Sequence, residues 1–236
     1  MKINGRIGII GAMKIEVAAL CAAMENPVRE TVSGVEYISG RLFGHDCVVA
    51  CCGVGKVFAA ICAQTMILRY QPALIVNTGV GGTLTERLSI GDIAVSSDVV
   101  QYDMDTSPLG DPVGLLSGIN IIHIPADAHA AEALSRAADA CGVRTVTGTV
   151  CSGDRFLCDP QIKTRIARDF GGVVCEMEGA AIGQVCYVNQ TPFCVLRSVS
   201  DSADGDSPED FALFTEKATE NSVRVLRYFM EENAYA

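Results

Sequence analysis

Three acidic residues each follow a short apolar run and could act together in one site. Glu16 follows GIIGAMKI, Glu178 follows GVVCEM, and Asp201 follows FCVLRSVS. In an open α/β sheet the ligand crevice lies at the strand ends, so these three side chains can converge there. Separated carboxylates in one crevice suit cleavage of a glycosidic bond: one protonates the leaving group, another activates water, and a third holds the sugar.

Each acidic residue also has a purely structural interpretation. Glu16 and Glu178 could favour the positive end of a helix that starts beside them, and Asp201 could be a helix N-cap or a turn residue. The hypothesis of a shared site therefore depends on all three together. Arg197 and Phe156 lie near the same strand ends, where the plain alternatives are a surface cation and a core aromatic.

Two glycine-rich segments resemble nucleotide-binding loops but fail their patterns. A phosphate loop at residues 53–57 would need glycine at Ala50 and a hydroxyl at Val57. The segment 79–84 lacks the third glycine of a dinucleotide-binding turn, because Leu84 stands there. Close approach of the glycine backbone to a ligand or to another strand remains open.

Charge and hydropathy exclude several classes of protein. The chain has 236 residues, a formal charge of −10 and 49% apolar residues. Such an acidic chain repels phosphate backbones and anionic lipid, so neither nucleic acid nor a membrane is an expected partner. Every apolar run is interrupted before it reaches about 18 residues, the length of a spanning helix. The first apolar run, residues 7–13, is expected to be a core strand and not a signal peptide.

The cysteines and histidines do not predict a metal site. Eleven cysteines are scattered through apolar segments without a C-x-x-C pair, and three histidines have no paired ligand spacing. Most of the cysteines should therefore be reduced core residues. The expected compartment is the reducing cytoplasm.

Short apolar runs alternate with longer helix-spaced segments, a pattern typical of a sheet covered by helices. Strands are expected over residues 6–10, 36–43, 46–52, 73–78, 92–100, 145–150, 172–177 and 193–199, and helices over residues 15–24, 56–70 and 209–230. The glycines after Thr78 should end their strand, and the polar stretch 102–120 should be a functional loop. Residues 1–236 are expected to form one α/β domain.

Five segments are similar, in order and spacing, to those of the 5′-methylthioadenosine/S-adenosylhomocysteine nucleosidases of the purine and uridine nucleoside phosphorylase superfamily. The segments are GIIGAMKIEV, NTGVGG, SGDRFL, VCEMEGAA and VLRSVSDSAD. Agreement of several motifs in register, from about residue 6 to 230, is specific. The resemblance implies a three-layer α/β sandwich with a mixed, partly barrel-like central sheet flanked by helices. It also implies hydrolytic release of adenine without a metal or organic cofactor.

The resemblance assigns roles by position. Glu16 resembles the residue that activates the attacking water. Asp201, with Ser200 beside it, resembles the acid that hydrogen-bonds adenine N6 and N7 and assists protonation of the leaving base. Glu178 resembles the ribose-binding glutamate, and Met177 the residue packed under the sugar.

Further residues complete the implied site. Phe156 would stack on adenine and the backbone of Leu157 would meet its edge. Arg197 would lie near the water and the sugar hydroxyls, and Phe211 resembles the aromatic residue that closes over the 5′ group. Glu176, next to the ribose-binding motif, is expected to be structural.

The sequence departs from the family pattern at several positions around the implied site. Lys14 and Ile15 stand where many relatives have acidic residues. This difference alters the electrostatic field around Glu16, the predicted base. Val80 and Met13 belong to the predicted substrate-binding residues. Val80 stands where the family usually has a serine near the attacking water. Leu109 stands where an aromatic often lines the 5′ pocket of the neighbouring subunit.

The resemblance also implies a homodimer in which the neighbouring subunit contributes residues around Thr106 and Leu109. The expected substrates are 5′-methylthioadenosine, S-adenosylhomocysteine and 5′-deoxyadenosine, in a role in methionine salvage. A futalosine or aminodeoxyfutalosine hydrolase is the alternative enzyme, because it shares the same fold and carboxylates.

Two other classes fit the sequence less well. A phosphorylase would need cationic side chains around phosphate. The residue before Thr78 is instead Asn77, and the turn from Ala12 to Glu16 carries an acid in place of an arginine. A non-catalytic nucleoside-binding module would be expected to lack Glu16 or Asp201, and both are present.

Overall fold

The computed structural model describes residues 5–201 and 208–232, and it describes residues 208–213 by their backbone only. The strands are β1 Ile7–Gly11, β2 Glu25–Val32, β3 Val35–Leu42, β4 His45–Cys51, β5 Leu74–Thr83, β6 Ile93–Gln101, β7 Ile124–Pro125, β8 Thr145–Ser152, β9 Gly172–Glu176 and β10 Phe193–Asp201. The helices are α1 Lys14–Ala22, α2 Lys56–Tyr70, α3 Ala128–Ala140, α4 Pro160–Phe170, α5 Gly179–Val188 and α6 Pro208–Glu231. This alternation confirms the predicted α/β class.

The central sheet closes on itself through β5. Its strand order is β10-β6-β8-β9-β5-β1-β4-β3-β2, and β10 also pairs with β5. Five strands therefore form a barrel-like ring, from which β1, β4, β3 and β2 continue as an open sheet. The sheet is mixed, since β10 runs parallel to β5 and antiparallel to β6. The prediction of a mixed, partly barrel-like sheet is confirmed.

Helices cover both faces of this sheet, and each face has its own apolar core. On one face α2 and α5 bury Met66 and Ile182. On the other face α1, α3 and α6 bury Leu20, Leu134 and Phe229. Removal of this apolar surface from water is the main favourable contribution to folding. The helices on the two faces leave the carboxyl ends of the strands accessible.

Strand β1 positions the first of the three acidic residues. It is buried along its whole length because it pairs in parallel with both β4 and β5. Ile9 and Ile10 belong to the two different cores, as the alternation of side chains along a strand requires. After Gly11 the chain turns directly into α1, so Glu16 lies in the first turn of that helix.

The prediction that β5 ends at Thr78 was wrong, because the strand continues through its glycines to Thr83. These glycines allow close approach of other groups to the strand. A Cβ at Gly79 would lie 2.5 Å from Glu16 Oε1, and one at Gly81 would lie 2.9 Å from the carbonyl oxygen of Cys175. Any side chain at these positions would displace the site or the neighbouring strand.

The predicted bounds of one helix and the position of one loop are confirmed, whereas one strand was missed. The helix over 56–70 has the predicted bounds, and residues 102–120 form a loop with one 3-10 turn at Ser107–Leu109. Strand β2, which the sequence did not predict, is an edge strand with mostly exposed side chains, so it lacks the apolar alternation that reveals a half-buried strand. Within residues 5–201 and 208–232, no helix is long and apolar enough to cross a membrane.

Candidate active site

A cavity of about 370 Å³ lies at the carboxyl ends of β1, β5, β9 and β10. Eight of the residues predicted from the sequence line it: Glu16, Asp201, Glu178, Met177, Phe156, Leu157, Met13 and Val80. The three acidic side chains therefore converge as their positions after strands predicted. Each is nevertheless almost fully buried, with 4% to 5% of its surface exposed, so each depends on specific partners.

Glu16 is held by backbone donors from two elements. Its Oε2 accepts hydrogen bonds from the N–H groups of Ala12 at 2.7 Å and Met13 at 2.8 Å, and its Oε1 accepts one from Val80 at 3.1 Å. Burial raises the pKa of Glu16 above its ordinary value, although the positive charge of Arg197 and these donors oppose the rise. A fixed carboxylate with a raised pKa is suited to accept a proton from water.

Glu178 is the N-cap residue of α5 and faces the same cavity. Its Oε1 accepts a hydrogen bond of 2.8 Å from the N–H of Gly55, a residue with φ +101° that favours glycine. Burial, and then the negative charge of Glu176, raise the pKa of Glu178 to about 7. The segment 53–57, which does not match the phosphate-loop pattern, therefore supplies a backbone N–H donor to the carboxylate of Glu178.

Glu176 also lines the cavity and organises the groups around it. Its Oε2 accepts hydrogen bonds from the N–H groups of Glu178 at 3.0 Å and Gly179 at 2.7 Å, and from the guanidinium of Arg197. Its Oε1 accepts a hydrogen bond from the hydroxyl of Ser152, whose oxygen accepts from the N–H of Ala180 at 2.7 Å. Glu176 and Ser152 therefore stabilise the start of α5, which agrees with the structural role expected for Glu176.

Arg197 is a buried cation and not the surface cation considered as its plain alternative. Its side chain is 1% exposed, and its Nη2 donates to Asn77 Oδ1 at 2.6 Å and lies 3.8 Å from Glu178 Oε2. It is not among the residues that line the cavity. Its positive charge nevertheless acts on the carboxylates of Glu176, Glu178 and Glu16.

Asp201 ends β10 and is held by two side chains. Its Oδ2 accepts a hydrogen bond of 2.8 Å from Lys163 Nζ, and its Oδ1 accepts one of 3.0 Å from Ser200 Oγ. Ser200 is fully buried behind the cavity wall. Gly82 permits this arrangement, because a Cβ there would meet the carboxylate of Asp201.

The opposite wall offers an aromatic ring and apolar surface. Phe156 is 43% exposed at the cavity, whereas Leu157 is buried in the small core beside α4. Phe156 is thus not the core aromatic considered as its plain alternative. Phe211 lies in α6, and its side chain is outside the described residues. Leu109 is 84% exposed on its 3-10 turn, and its predicted role in a neighbouring subunit stays a prediction.

Three supporting residues were missed in the sequence: Lys163, Asn77 and Ser152. Lys163 carries a detectable signal, since it lies on the apolar side of α4 one turn before the buried Ile166. Asn77 lies within a wholly buried strand, where a polar side chain needs a partner. Ser152 begins the SGDRFL segment that carries the family resemblance, but its partner Glu176 is 24 residues away, so its contact was not predicted.

The arrangement combines three buried carboxylates, one of them paired with a lysine, in one cavity. A largely apolar environment strengthens each electrostatic interaction with a bound molecule. Carboxylates from three different strand ends can act on different parts of that molecule. Such an arrangement suits acid–base cleavage of a glycosidic bond.

Comparison with known proteins agrees with this chemistry. The model of the Phosphorylase superfamily matches residues 6–231. A 5′-methylthioadenosine/S-adenosylhomocysteine nucleosidase from Shewanella sp. strain W3-18-1 is 42% identical over 96% of this chain and 99% of its own length.

Solved structures are similar over almost the whole chain. The 5′-methylthioadenosine/S-adenosylhomocysteine nucleosidase of Neisseria meningitidis, in complex with methylthio-immucillin-A, has a TM-score of 0.92 and 31% identity, covering 97% of this chain and 99% of that one. The futalosine hydrolase of Helicobacter pylori has a TM-score of 0.91 and 29% identity, covering 97% and 98%. The chain therefore belongs to the Phosphorylase superfamily and, within it, to the family of the 5′-methylthioadenosine/S-adenosylhomocysteine nucleosidases, which are N-glycosyl hydrolases.

Proposed function

We propose that this chain, as a single nucleosidase domain, hydrolyses the N-glycosidic bond of 5′-methylthioadenosine, S-adenosylhomocysteine and 5′-deoxyadenosine, with release of adenine. The observation that carries the proposal is the convergence of Glu16, Glu178 and Asp201 on one cavity. The names of the relatives at 42% identity support the first two substrates. The corresponding cellular role is methionine salvage in the cytoplasm, where thiols such as those of the mostly buried cysteines stay reduced.

In this proposal Glu16 acts on the nucleophile. A water molecule attacks C1′ of the ribose and its proton passes to the Glu16 carboxylate, which burial makes a stronger base than usual. The backbone donors from Ala12, Met13 and Val80 keep the carboxylate oriented during the transfer. Val80 contributes only its backbone N–H to this part of the site.

Glu178 binds the 2′ and 3′ hydroxyls of the ribose, and Met177 packs beneath the sugar. The hydrogen bond from Gly55 leaves lone pairs of the Glu178 carboxylate available to these hydroxyls. Its negative charge also stabilises the positive charge that develops on the ribose ring. Arg197 is a positioning residue here, since it holds Glu176 and lies close to Glu178.

Asp201 acts on the base. Adenine leaves poorly as an anion, so a proton from solvent passes through the Asp201 carboxyl group to N7 while the C1′–N9 bond breaks. Ser200 fixes one carboxylate oxygen, and Phe156 stacks on the purine while the backbone of Leu157 meets its edge. The products are neutral adenine and the 5′-substituted ribose.

The protein acts as a homodimer in this proposal. Exposed apolar side chains lie on the first two turns of α2 and just before them, here called the α2 surface: Val54, Val57, Phe58 and Ile61. Val54 also lines the cavity, so a partner that covers this surface would complete the site. We infer that the occupant is a second copy, which contributes its residues around Thr106 and Leu109 to the 5′ pocket.

Sedimentation velocity at micromolar concentration should therefore give a dimer for the unaltered protein. Phe58→Glu places a charge in the centre of the α2 surface, so this variant should be monomeric and poorly active. Val28→Glu is the control, because Val28 is 64% exposed on the edge strand β2, and it should stay dimeric. A monomeric unaltered protein, or a dimeric Phe58→Glu variant, would contradict this assembly.

A substrate panel tests the function itself. The free purine base is measured for each substrate: 5′-methylthioadenosine, S-adenosylhomocysteine and 5′-deoxyadenosine, and, as the alternative class, futalosine, which would release hypoxanthine, and aminodeoxyfutalosine. Because the aliphatic Leu109 defines the 5′ pocket less rigidly than an aromatic, kcat/KM for the three adenosine derivatives should agree within about tenfold. Faster cleavage of the futalosine-type substrates would transfer the assignment to that class, and no cleavage at all would refute the proposal.

A further inference from the structure

Lys163 and Asp201 form a buried ion pair at the edge of the cavity. Lys163 Nζ lies 2.8 Å from Asp201 Oδ2, and the two side chains are 2% and 7% exposed. Removing a lysine from water costs free energy that a surface position would not require. A buried lysine bonded to the residue proposed to act on the base therefore calls for a functional explanation.

The fold connects this lysine to the segment that faces the base. Helix α4 begins at Pro160, directly after the loop that carries Phe156 and Leu157. Asp159 caps the helix by accepting a hydrogen bond from the N–H of Gln161 at 2.8 Å. Lys163 and Ile166 are the buried residues of this helix. Apolar packing of Ile166, with Ile162, Ala167 and Phe170 beside it, and the ion pair of Lys163 with Asp201 therefore anchor α4.

The groups around Asp201 differ in their effect on its carboxyl group. From β9, the Cys175 thiol has a pKa that burial raises to about 12, so it is neutral, and Glu176 is already paired with Arg197. From β10, Ser200 donates a neutral hydrogen bond, and β5 contributes the backbone of residue 82. From α4 comes the ammonium group of Lys163.

Arg155 also lines the cavity, and Asp204 and Asp206 follow along the chain outside the described residues. The direct hydrogen bond of Lys163 distinguishes it from these other charges. A charge-assisted hydrogen bond of this length holds the carboxylate more firmly than a neutral donor does. The direction in which Asp201 faces the cavity is therefore set by α4 as well as by β10.

We propose that Lys163 is a positioning residue that sets the orientation of Asp201 toward the leaving base. The inference rests on the proposed function for its catalytic consequence, because Asp201 is assigned there to N7 of adenine. Lys163 itself does not contact the substrate in this scheme. It fixes Oδ2 as Ser200 fixes Oδ1.

The test compares Lys163→Met with Lys163→Arg, which restores the charge, and with Arg165→Met, which removes an exposed cation from the same helix. With 5′-methylthioadenosine, Lys163→Met should lower kcat about tenfold or more at little change in KM, Lys163→Arg should recover part of the loss, and Arg165→Met should behave as the unaltered protein. Thermal melting establishes that each variant is folded.

A nucleoside whose base departs without protonation gives a readout that a merely structural role would not change. Because Lys163 is proposed to act only through Asp201, Lys163→Met should slow cleavage of this substrate much less than cleavage of 5′-methylthioadenosine. Equal losses for the two substrates would overturn the inference even if kcat falls. The proposed function fails instead if the unaltered protein releases no adenine.

If Lys163→Met leaves an unpaired buried carboxylate and does not fold, the variant that combines it with Asp201→Asn removes both charges. Lys163 should then have no further effect, so kcat in the double variant should equal that of Asp201→Asn within about twofold. An additional tenfold loss in the double variant would show that Lys163 acts independently of Asp201 and would contradict the inference.

Discussion

Replacing Glu16 by glutamine is expected to lower kcat for adenine release by about 10³-fold, within the range for loss of a general base. The amide keeps the size of the side chain but cannot accept the proton of the attacking water. Binding of a non-hydrolysable nucleoside analogue should remain within about threefold of normal, since the site keeps its other groups. Steady-state kinetics and calorimetric titration measure the two quantities.

The pH dependence and a matched control check this assignment. Burial raises the pKa of both Glu16 and Glu178, the latter to about 7, so the ionised forms are lost as the pH falls. The kcat/KM of the unaltered protein should therefore decline below about pH 7. Glu25→Gln, on the exposed edge strand, should leave kcat unchanged. Full activity in Glu16→Gln would remove this residue from the mechanism.

Asp201→Asn is expected to lower kcat about 10²- to 10⁴-fold, because asparagine keeps the shape and some hydrogen bonding but carries no acidic proton. Adenine would then have to leave without protonation at N7. The KM should change little, since Phe156 and Glu178 still hold the base and the ribose. Pre-steady-state measurement of adenine release separates this slow chemistry from slow product dissociation.

A substrate with a better leaving group provides the control for Asp201. A nucleoside whose base departs without protonation should lose much less activity in Asp201→Asn than 5′-methylthioadenosine does. Equal losses for the two substrates would mean that the residue does not protonate the base. Loss of binding with normal cleavage of the bound fraction would contradict the assignment as well.

The sequence predicted most of the elements that bear the site because their patterns are local. The helix 56–70 has helical spacing and a proline two residues after its end, and its bounds agree with α2. The convergence of Glu16, Glu178 and Asp201 followed from their positions after strands, since strand ends meet at one edge. The buried strand β1 was recognisable from its apolar, β-branched residues.

The features that were not predicted depend on contacts between distant segments. Glycines in a row suggest a turn when read alone, yet residues 79–82 stay extended because Glu16 and β9 need the space beside them. The burial of Arg197 could not be predicted for the same reason, because its partners Asn77 and Glu176 are 120 and 21 residues away in the sequence. Lys163 on an apolar helix face was the one visible sign of the ion pair with Asp201.

The central claim is that water, activated by Glu16, is the nucleophile, and product analysis in the presence of phosphate tests it most directly. The protein is incubated with 5′-methylthioadenosine in buffer with and without inorganic phosphate, and the sugar product is identified by ³¹P NMR and mass spectrometry. We expect free 5-methylthioribose and an unchanged rate of adenine release in both buffers, because a carboxylate at the attacking face repels phosphate. Formation of 5-methylthioribose 1-phosphate, or acceleration by phosphate, would contradict hydrolysis.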